Sequence, residues 1–549
     1  MMKLQHKNEL QSLTNLVILL TALNALPAVA VEPQSRTSST NIASERQNMP
    51  KLIVGITIDQ LRTDYLDILQ SRFVQGGFRK LLQEGRVYDQ VTFELDHPDA
   101  TAAIATLATG SYPFQNGISS EFFFDRQSLR RRPIFFDIKF IGNATDGFWS
   151  PRALLSSTLA DELKLASQQN SKVYSIAPNA QEALITAGHS ADGAFWIDDK
   201  HGNWCSTTYY RDFPSFVSHQ NSNKPLFCDA DTKGWDSQFF TQGGVCPLSP
   251  YQPCNPYFSH KFQQNKQVMY AWLKTSPVIN EAVGKMAQLF ITNGRLGTSE
   301  ARTDMLQLTF YAGTYQHAAK EVYPCELEET YLRLDQTLDE LFKAIDRQVG
   351  LNNTIIYVMG TGGTDEDSAE VPGLSLGEFN ANRCTALLNI ELNSRYGQGQ
   401  WIEGYEGKQI FLNHKLIEQK QLQLDDVARE AAKFVSLFSG VEEVFTAQQL
   451  LHEDYSQRIS RIRNSYYKNI GGDLVIVLQP GWNLRADDNS APQPQTRHNV
   501  CPGPAIIFAP SLISAERIHA PVEAVSIAPS VAKAIRIRAP NACRALPLF

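Results

Sequence analysis

The chain has no basic surplus. Its 50 Lys and Arg face 57 Asp and Glu, for a formal charge of −7, and the isoelectric point lies near 5.9. That balance excludes a general nucleic-acid binder, which needs excess cations to neutralise phosphates. After the first 31 residues there is no unbroken apolar run of the length that crosses a bilayer, so no transmembrane span is expected in the mature chain. There is no CxxC and no Cys/His pair at zinc-finger spacing, which removes the small zinc-stabilised modules. No internal repeat and no low-complexity segment is present. The one local basic cluster, Arg130-Arg131-Arg132, reads as a solvated loop.

What is present is a large globular chain. At 549 residues with 43% hydrophobic and 10% aromatic content, it can bury an extensive core, with length for two to four domains. The N-terminus carries Lys3 and Lys7, then a largely apolar stretch from Leu13 to Val31 that ends in Ala28-Val29-Ala30. Asn15 and Asn24 interrupt it, and small-x-small marks a cleavage site, so residues 1–30 read as a cleaved secretory signal. Export to the periplasm or beyond follows from that reading. Residues 31–49 are polar and read as a linker. Eight cysteines, four of them between Cys205 and Cys254, are expected to form structural disulfides in an oxidising compartment.

From Leu52 the pattern becomes LIVGITID, a buried strand ending at Asp59. Similar runs recur at 172–177, 305–311, 354–359, 474–478 and 505–509. Between two of them, Leu327, Leu334, Leu338, Leu341 and Ile345 fall on one face of a helix closed by Gly350. Strand, helix and strand make a βαβ unit, whose strands should be parallel. The expected fold is α/β: a mostly parallel central sheet over residues 50–549, helices on both faces, and loop-rich insertions at about 200–275 and 370–470.

Ligands of such a sheet sit beyond the carboxyl ends of its strands. Three of those ends are legible: Asp59, Gly313-Thr314, and Thr361-Gly362 in TIIYVMGTGGTDED. Only the first offers a carboxylate. The last has the shape of an active-site loop, an apolar strand breaking into glycines, without an acid–base group or a metal ligand.

Other segments carry a resemblance: PKLIVGITIDQLRTDYL (50–66), GGFRKLLQEG (76–85), ATLATGSYPFQNGI (105–118), FFDR (123–126), AGHSADGAFWID (187–198), STTYY (206–210), TYLRLD (330–335), GDLVIVLQPGW (472–482), PAIIFAP (504–510) and a C-terminal helix and tail (526–548). In this order they resemble the alkaline phosphatase superfamily, specifically secreted bacterial zinc-dependent enzymes with a threonine nucleophile, which are related to type I phosphodiesterase/nucleotide pyrophosphatases. The resemblance implies an alkaline-phosphatase-like fold. In that family two zinc ions, held by Asp and His at strand ends, activate a hydroxyl that attacks phosphorus.

Carried over by position, the resemblance leaves most of that machinery substituted. Asp59 keeps the first aspartate ligand. The nucleophile slot falls on Ala100, with Thr101 one place late. The Asp-x-x-x-His pair falls on Thr314 and Ala318, and the Asp-His of the following strand on Thr361 and Gly362. The last histidine is Pro502 without a gap, or His498 with one. The phosphate-binding Asn is Glu121, and a Lys-x-Arg pair becomes Asn179 and Gln181. His189 matches a position that is structural. The expectation is therefore an exported superfamily member that is a catalytically degenerate pseudoenzyme, with no cofactor, acting as a binding or scaffold protein; partners would be envelope proteins, none named by a motif. The alternative is a divergent phosphomonoesterase or phosphodiesterase holding two zinc ions through relocated ligands drawn from His97, Asp99, His317, Asp365, Asp367 and His498, with Thr101 as nucleophile. A third reading is a binding module built on Trp204, Tyr209, Tyr210, Trp235, Tyr251 and Tyr257, although such aromatics more often form an insertion's own core.

Overall fold

The β-branched and apolar runs of the sequence form strands that are buried on both faces, as a helix-covered parallel sheet requires. Six of them define the centre: β1 (Leu52–Asp59), β2 (Val173–Ile176), β3 (Gly193–Ile197), β4 (Asp304–Tyr311), β5 (Thr354–Gly360) and β6 (Gly503–Phe508). They are ordered β6–β5–β1–β4–β2–β3 within a 12-stranded sheet. Pairing is parallel from β5 across to β3, whereas β6 runs antiparallel to β5. The computed structural model describes residues 49–96, 98–223, 226, 234–239, 246–248, 257–262, 268–315, 323–364, 377–452, 457–486 and 500–549.

The predicted βαβ unit is present with one refinement. The helix between β4 and β5 spans Tyr323–Gln348, but β1 lies between the two strands and pairs with both. The register sets Asp59 across from Tyr311 and Ile58 across from Gly360. Three strand ends thus finish level with one another.

Alternation along β1 divides the core. Leu52, Val54, Ile56 and Ile58 face one apolar layer with Leu334, Leu338, Leu341 and Ile345 of the long helix. All four of those helical residues are fully buried, at about 1.5–3 kcal/mol each. Ile53 faces the other layer, with residues of helices α1 (Ala100–Thr109) and α2 (Ala180–Ala187). Gly55 lies on that second face. A Cβ there would come within 2.1 Å of Gln307 Oε1, so only glycine allows the buried Gln307 side chain to donate to the Tyr357 hydroxyl at 2.7 Å.

Several expectations change. The run Leu474–Leu478 is a strand, but of a separate four-stranded antiparallel sheet with its own apolar core from Phe379 to Leu484. The triple arginine is no loop: Arg130–Pro133 is a strand paired with Phe122–Asp125. There Arg131 lies over the Phe122 ring and pairs with Glu406 at 3.0 Å. Among the described residues of the aromatic insertion, Trp204 and Trp235 join the main layer while Tyr210 joins the opposite one, so these rings do not form a small core of their own. Tyr251 lies outside the described residues, as do Cys228 and Cys254. Cys205, Cys384 and Cys543 keep free thiols, so the expected bridging does not extend to them. Of the C-terminal stretch, Ile527–Ala534 is helical.

No helix among the described residues is long and apolar enough to cross a membrane. Residues Pro50–Phe549 form one compact unit.

Candidate functional site

The site is built where the strand ends meet the first turns of α1 and α2. Asp59 closes β1, and its Oδ1 accepts a hydrogen bond from the Thr361 hydroxyl at 2.8 Å. The same Thr361 oxygen accepts from the Gln60 backbone N–H at 2.8 Å. Thr361 therefore links β1 and β5 at the position where the family resemblance expects a metal-binding carboxylate. Next to it Gly362 has φ +73°, and a Cβ there would lie 2.5 Å from the Cys501 carbonyl oxygen. Gly363-Thr364 then pairs with Val500-Cys501. The glycine loop is thus tied to the strand segment before β6.

Helix α1 begins at Ala100 because Asp99 caps it. Asp99 Oδ1 accepts from Ala102 N–H at 2.8 Å and Oδ2 from Glu121 N–H at 2.6 Å. The Ala100 methyl occupies the first helical position, and the neighbouring Thr101 is 3% exposed. Helix α2 begins with a capping box, in which a side chain and a backbone N–H are satisfied reciprocally. The Asn179 N–H and Nδ2 donate to Glu182 Oε2 and Oε1, at 3.3 and 2.9 Å. Across the rim, Gln181 Nε2 donates to Glu121 Oε1 at 2.9 Å. Thr314 follows β4, and its carbonyl oxygen accepts from the Tyr311 hydroxyl at 2.6 Å. His189, at the end of α2, donates its backbone N–H to Asp161 at 2.8 Å. Ala318, His97, His317, Asp365, Asp367 and His498 lie outside the described residues.

The electrostatics of the pocket are one-sided. Burial raises the pKa of Asp59, the bonds from Thr361 and Gln60 partly offset it, and the charge of Asp99 adds to the rise. Burial also raises Asp99. Glu121 is raised by burial and then by Asp99. Glu182 is pushed up to about 7, chiefly by burial, with the Asp59 charge contributing. All four carboxylates lose solvent, and Asp59, Glu121 and Glu182 also sense another anion, the two conditions that disfavour ionisation. The cations that act on the cluster are Arg131 and Lys274, and both already hold acids elsewhere, Glu406 at 3.0 Å and Asp199 at 2.7 Å. Among the described residues no three His, Cys, Asp or Glu side chains converge at metal-ligand distance.

The structure brings Asp59 to Thr361 and Glu121 to Gln181, and it sets Asn179 on Glu182. Glu182 escaped the sequence reading, and Asp99 entered it only as a relocated ligand. Both had a local signal: Asp99 directly precedes an alanine-rich helical run, and Asn179-x-x-Glu182 has capping-box spacing.

A mostly parallel α/β sheet with its polar residues gathered at the carboxyl ends of the central strands defines an α/β scaffold whose ligand site lies at those strand ends. The sequence model of the type I phosphodiesterase/nucleotide pyrophosphatase family matches residues 53–501, and the chain belongs to this family, within the alkaline phosphatase superfamily. It is 28% identical over 470 residues to a protein of Myroides odoratus named as a calcium-transporting ATPase, covering 80% of this chain and 83% of the relative. It is 27% identical to alkaline phosphatase PhoV of Synechococcus elongatus, covering 79% and 80%, and 26% identical to alkaline phosphatase PafA of Elizabethkingia meningoseptica, covering 79% and 82%. The crystal structure of wild-type PafA superposes with a TM-score of 0.78 at 24% identity, over 91% of this chain and 98% of that one. That likeness establishes the alkaline-phosphatase-like fold.

Proposed function

We propose that the protein is an exported, catalytically degenerate member of its family that acts as a binding or scaffold protein. The observation that carries this reading is the hydrogen bond from Thr361 to Asp59. The surviving acid of the resemblance is engaged by a hydroxyl that stands where a second acid would help hold a metal. The donors at the described positions do not fit two zinc ions, each of which takes about four N, O or S ligands. At the described ligand positions the chain offers one carboxylate, the hydroxyls of Thr314 and Thr361, and Gly362, which has no side chain. The first helical position of α1 carries a methyl rather than a nucleophilic oxygen. Phosphate would also meet Glu121 in place of a neutral donor, and Asn179 and Gln181 in place of two cations. At about 4 Å and an effective dielectric near 20, each such change of charge is worth about 4 kcal/mol. On this reading residues 1–30 are a signal, 31–49 a linker, and 200–275 and 370–470 insertions on the phosphatase scaffold.

A second reading, a divergent metal-dependent phosphatase, is favoured by one observation: relatives that match about 79% of the chain are named alkaline phosphatases. Metal analysis of the purified mature protein, with turnover of an aryl phosphate, decides between them. The degenerate reading expects substoichiometric zinc and no hydrolysis above background. Two zinc ions per chain with turnover would replace it.

A further inference from the structure

One end of the central sheet carries a segment that is its own complement when reversed. The strand Phe136–Asn143 and its hairpin partner Phe148–Trp149 close that end of the 12-stranded sheet. The strand opens with Phe136-Asp137-Ile138-Lys139-Phe140: an aromatic ring at each end, an aliphatic centre, an acid before it and a base after it. Its residues paired across the sheet are Phe136, Ile141, Gly142 and Asn143, so 137–140 have no strand partner among the described residues. We propose that this segment pairs antiparallel with the same segment of a second copy of the chain, giving a two-fold dimer centred on Ile138. The inference goes beyond the reading of the pocket and does not depend on it.

Pairing centred on Ile138 sets Phe136 opposite Phe140 of the second copy, Asp137 opposite Lys139, and Ile138 opposite itself, and the two-fold repeats each of the first two contacts. Strand alternation then gathers the rings and the isoleucines on one face and both charge pairs on the other. Neighbouring registers are worse. A shift of one residue sets a charge against an apolar side chain, and a shift of two sets Asp137 or Lys139 against itself, which is destabilising. The exposure fits an interface: Ile138 is 72% exposed, Ile141 63% and Phe136 37%, an apolar edge of the kind that isolated proteins avoid. The chain's own rings hold the phenylalanines on either side of Ile138, with Phe136 against Phe148 at 6.2 Å and Phe140 against Tyr209 at 5.0 Å. The Lys139 N–H already donates to Asp137 Oδ1 at 3.1 Å, which leaves the bonds across the two-fold to Ile138, meeting its copy as a hydrogen-bonded pair.

The test is sedimentation velocity of the mature protein from micromolar to millimolar concentration, where a concentration-dependent dimer is expected. Ile138→Arg sets two guanidinium groups face to face, and Lys139→Glu sets an acid opposite Asp137 twice. Each is expected to weaken dimerisation at least tenfold. Both positions are exposed, so the thermal midpoint of the monomer should not move. Ile138→Cys is expected to give a disulfide-linked dimer on a non-reducing gel, because residues directly opposite in an antiparallel pair lie within disulfide reach. Leu437→Cys, at an 80% exposed position outside the segment, is expected to give none. The proposal is overturned by a monomer at every concentration, by a dimer that Ile138→Arg and Lys139→Glu leave intact, or by Ile138→Cys linking no better than Leu437→Cys. A monomer that instead floats with vesicles of phosphatidylethanolamine and phosphatidylglycerol would also overturn it, since a lipid surface would then cover the segment.

Discussion

Replacing Glu182 by Gln tests whether the pocket carries uncompensated negative charge. The carboxyl sits at the third position of α2, where it accepts from Asn179 at 2.9 and 3.3 Å. Burial and the charge of Asp59 hold its pKa at about 7, against 4.5 for an ordinary glutamate. Between those values the folded chain keeps a proton that the unfolded chain has released. The stability this proton contributes is complete below the ordinary value and is lost as pH rises through the folded one. The gap, at about 1.4 kcal/mol per pH unit, is worth about 3 kcal/mol. Gln cannot titrate, and its single amide oxygen can keep the bond from the Asn179 N–H while giving up the one from Nδ2, so the substitution removes the charge and keeps the backbone part of the helix start. Unfolding free energies from urea denaturation, measured from pH 4 to 8 in the presence of a chelator, should fall for the wild type by about 3 kcal/mol more than for Glu182→Gln. The two proteins should be similar at the acid end, with the variant more stable at the alkaline end. Parallel profiles would refute the argument, because they would mean that Glu182 ionises without cost and that a compensating cation lies beside it.

Thr361→Val keeps the shape of the side chain but removes one bond to a carboxylate and one from a backbone N–H; a loss of about 2–4 kcal/mol is expected by urea denaturation, coupled by at least about 1 kcal/mol to Asp59→Asn in a double-mutant cycle. Gly362→Ala must hold alanine at φ +73° against the Cys501 carbonyl, so it should lose about 1–3 kcal/mol by the same assay. Asp335, raised to about 6 by burial, accepts from Val74 N–H at 2.7 Å and Phe78 N–H at 2.6 Å. Asp335→Ala should therefore speed amide exchange at Val74 and Phe78 by at least tenfold, the equivalent of about 1.4 kcal/mol of local stability.

Much of this molecule is legible residue by residue. LIVGITID reads as a strand because β-branched residues in an unbroken apolar run suit a strand buried on both faces. The helix of residues 323–348 reads out of leucines at helical spacing. The strand ends at Asp59 and Thr361 could be marked as the site, since parallel topology places ligands there. Other features were hidden by symmetry of pattern. Leu474–Leu478 looks like any central strand, and nothing local says that it belongs to another sheet. Arg130–Arg132 is solvated as its charge suggests, but it looks like a loop until its strand partner comes into view. The cysteines suggest bridges by count, yet a disulfide needs two sulfurs brought together, which is a tertiary property.

The sequence by itself determined the strand ends and which side chains stand at them, because those depend on apolar periodicity and on local identity. Only the tertiary structure decided that Thr361 bonds to Asp59 across 302 positions, that Asp99 and Glu182 come within electrostatic reach of Asp59, and that the Glu121 N–H bonds to Asp99. Charge and hydrogen bonding depend on distance in space. The pairing of β1 with both β4 and β5, and the packing of α1 and α2 on one face of that sheet, set those distances.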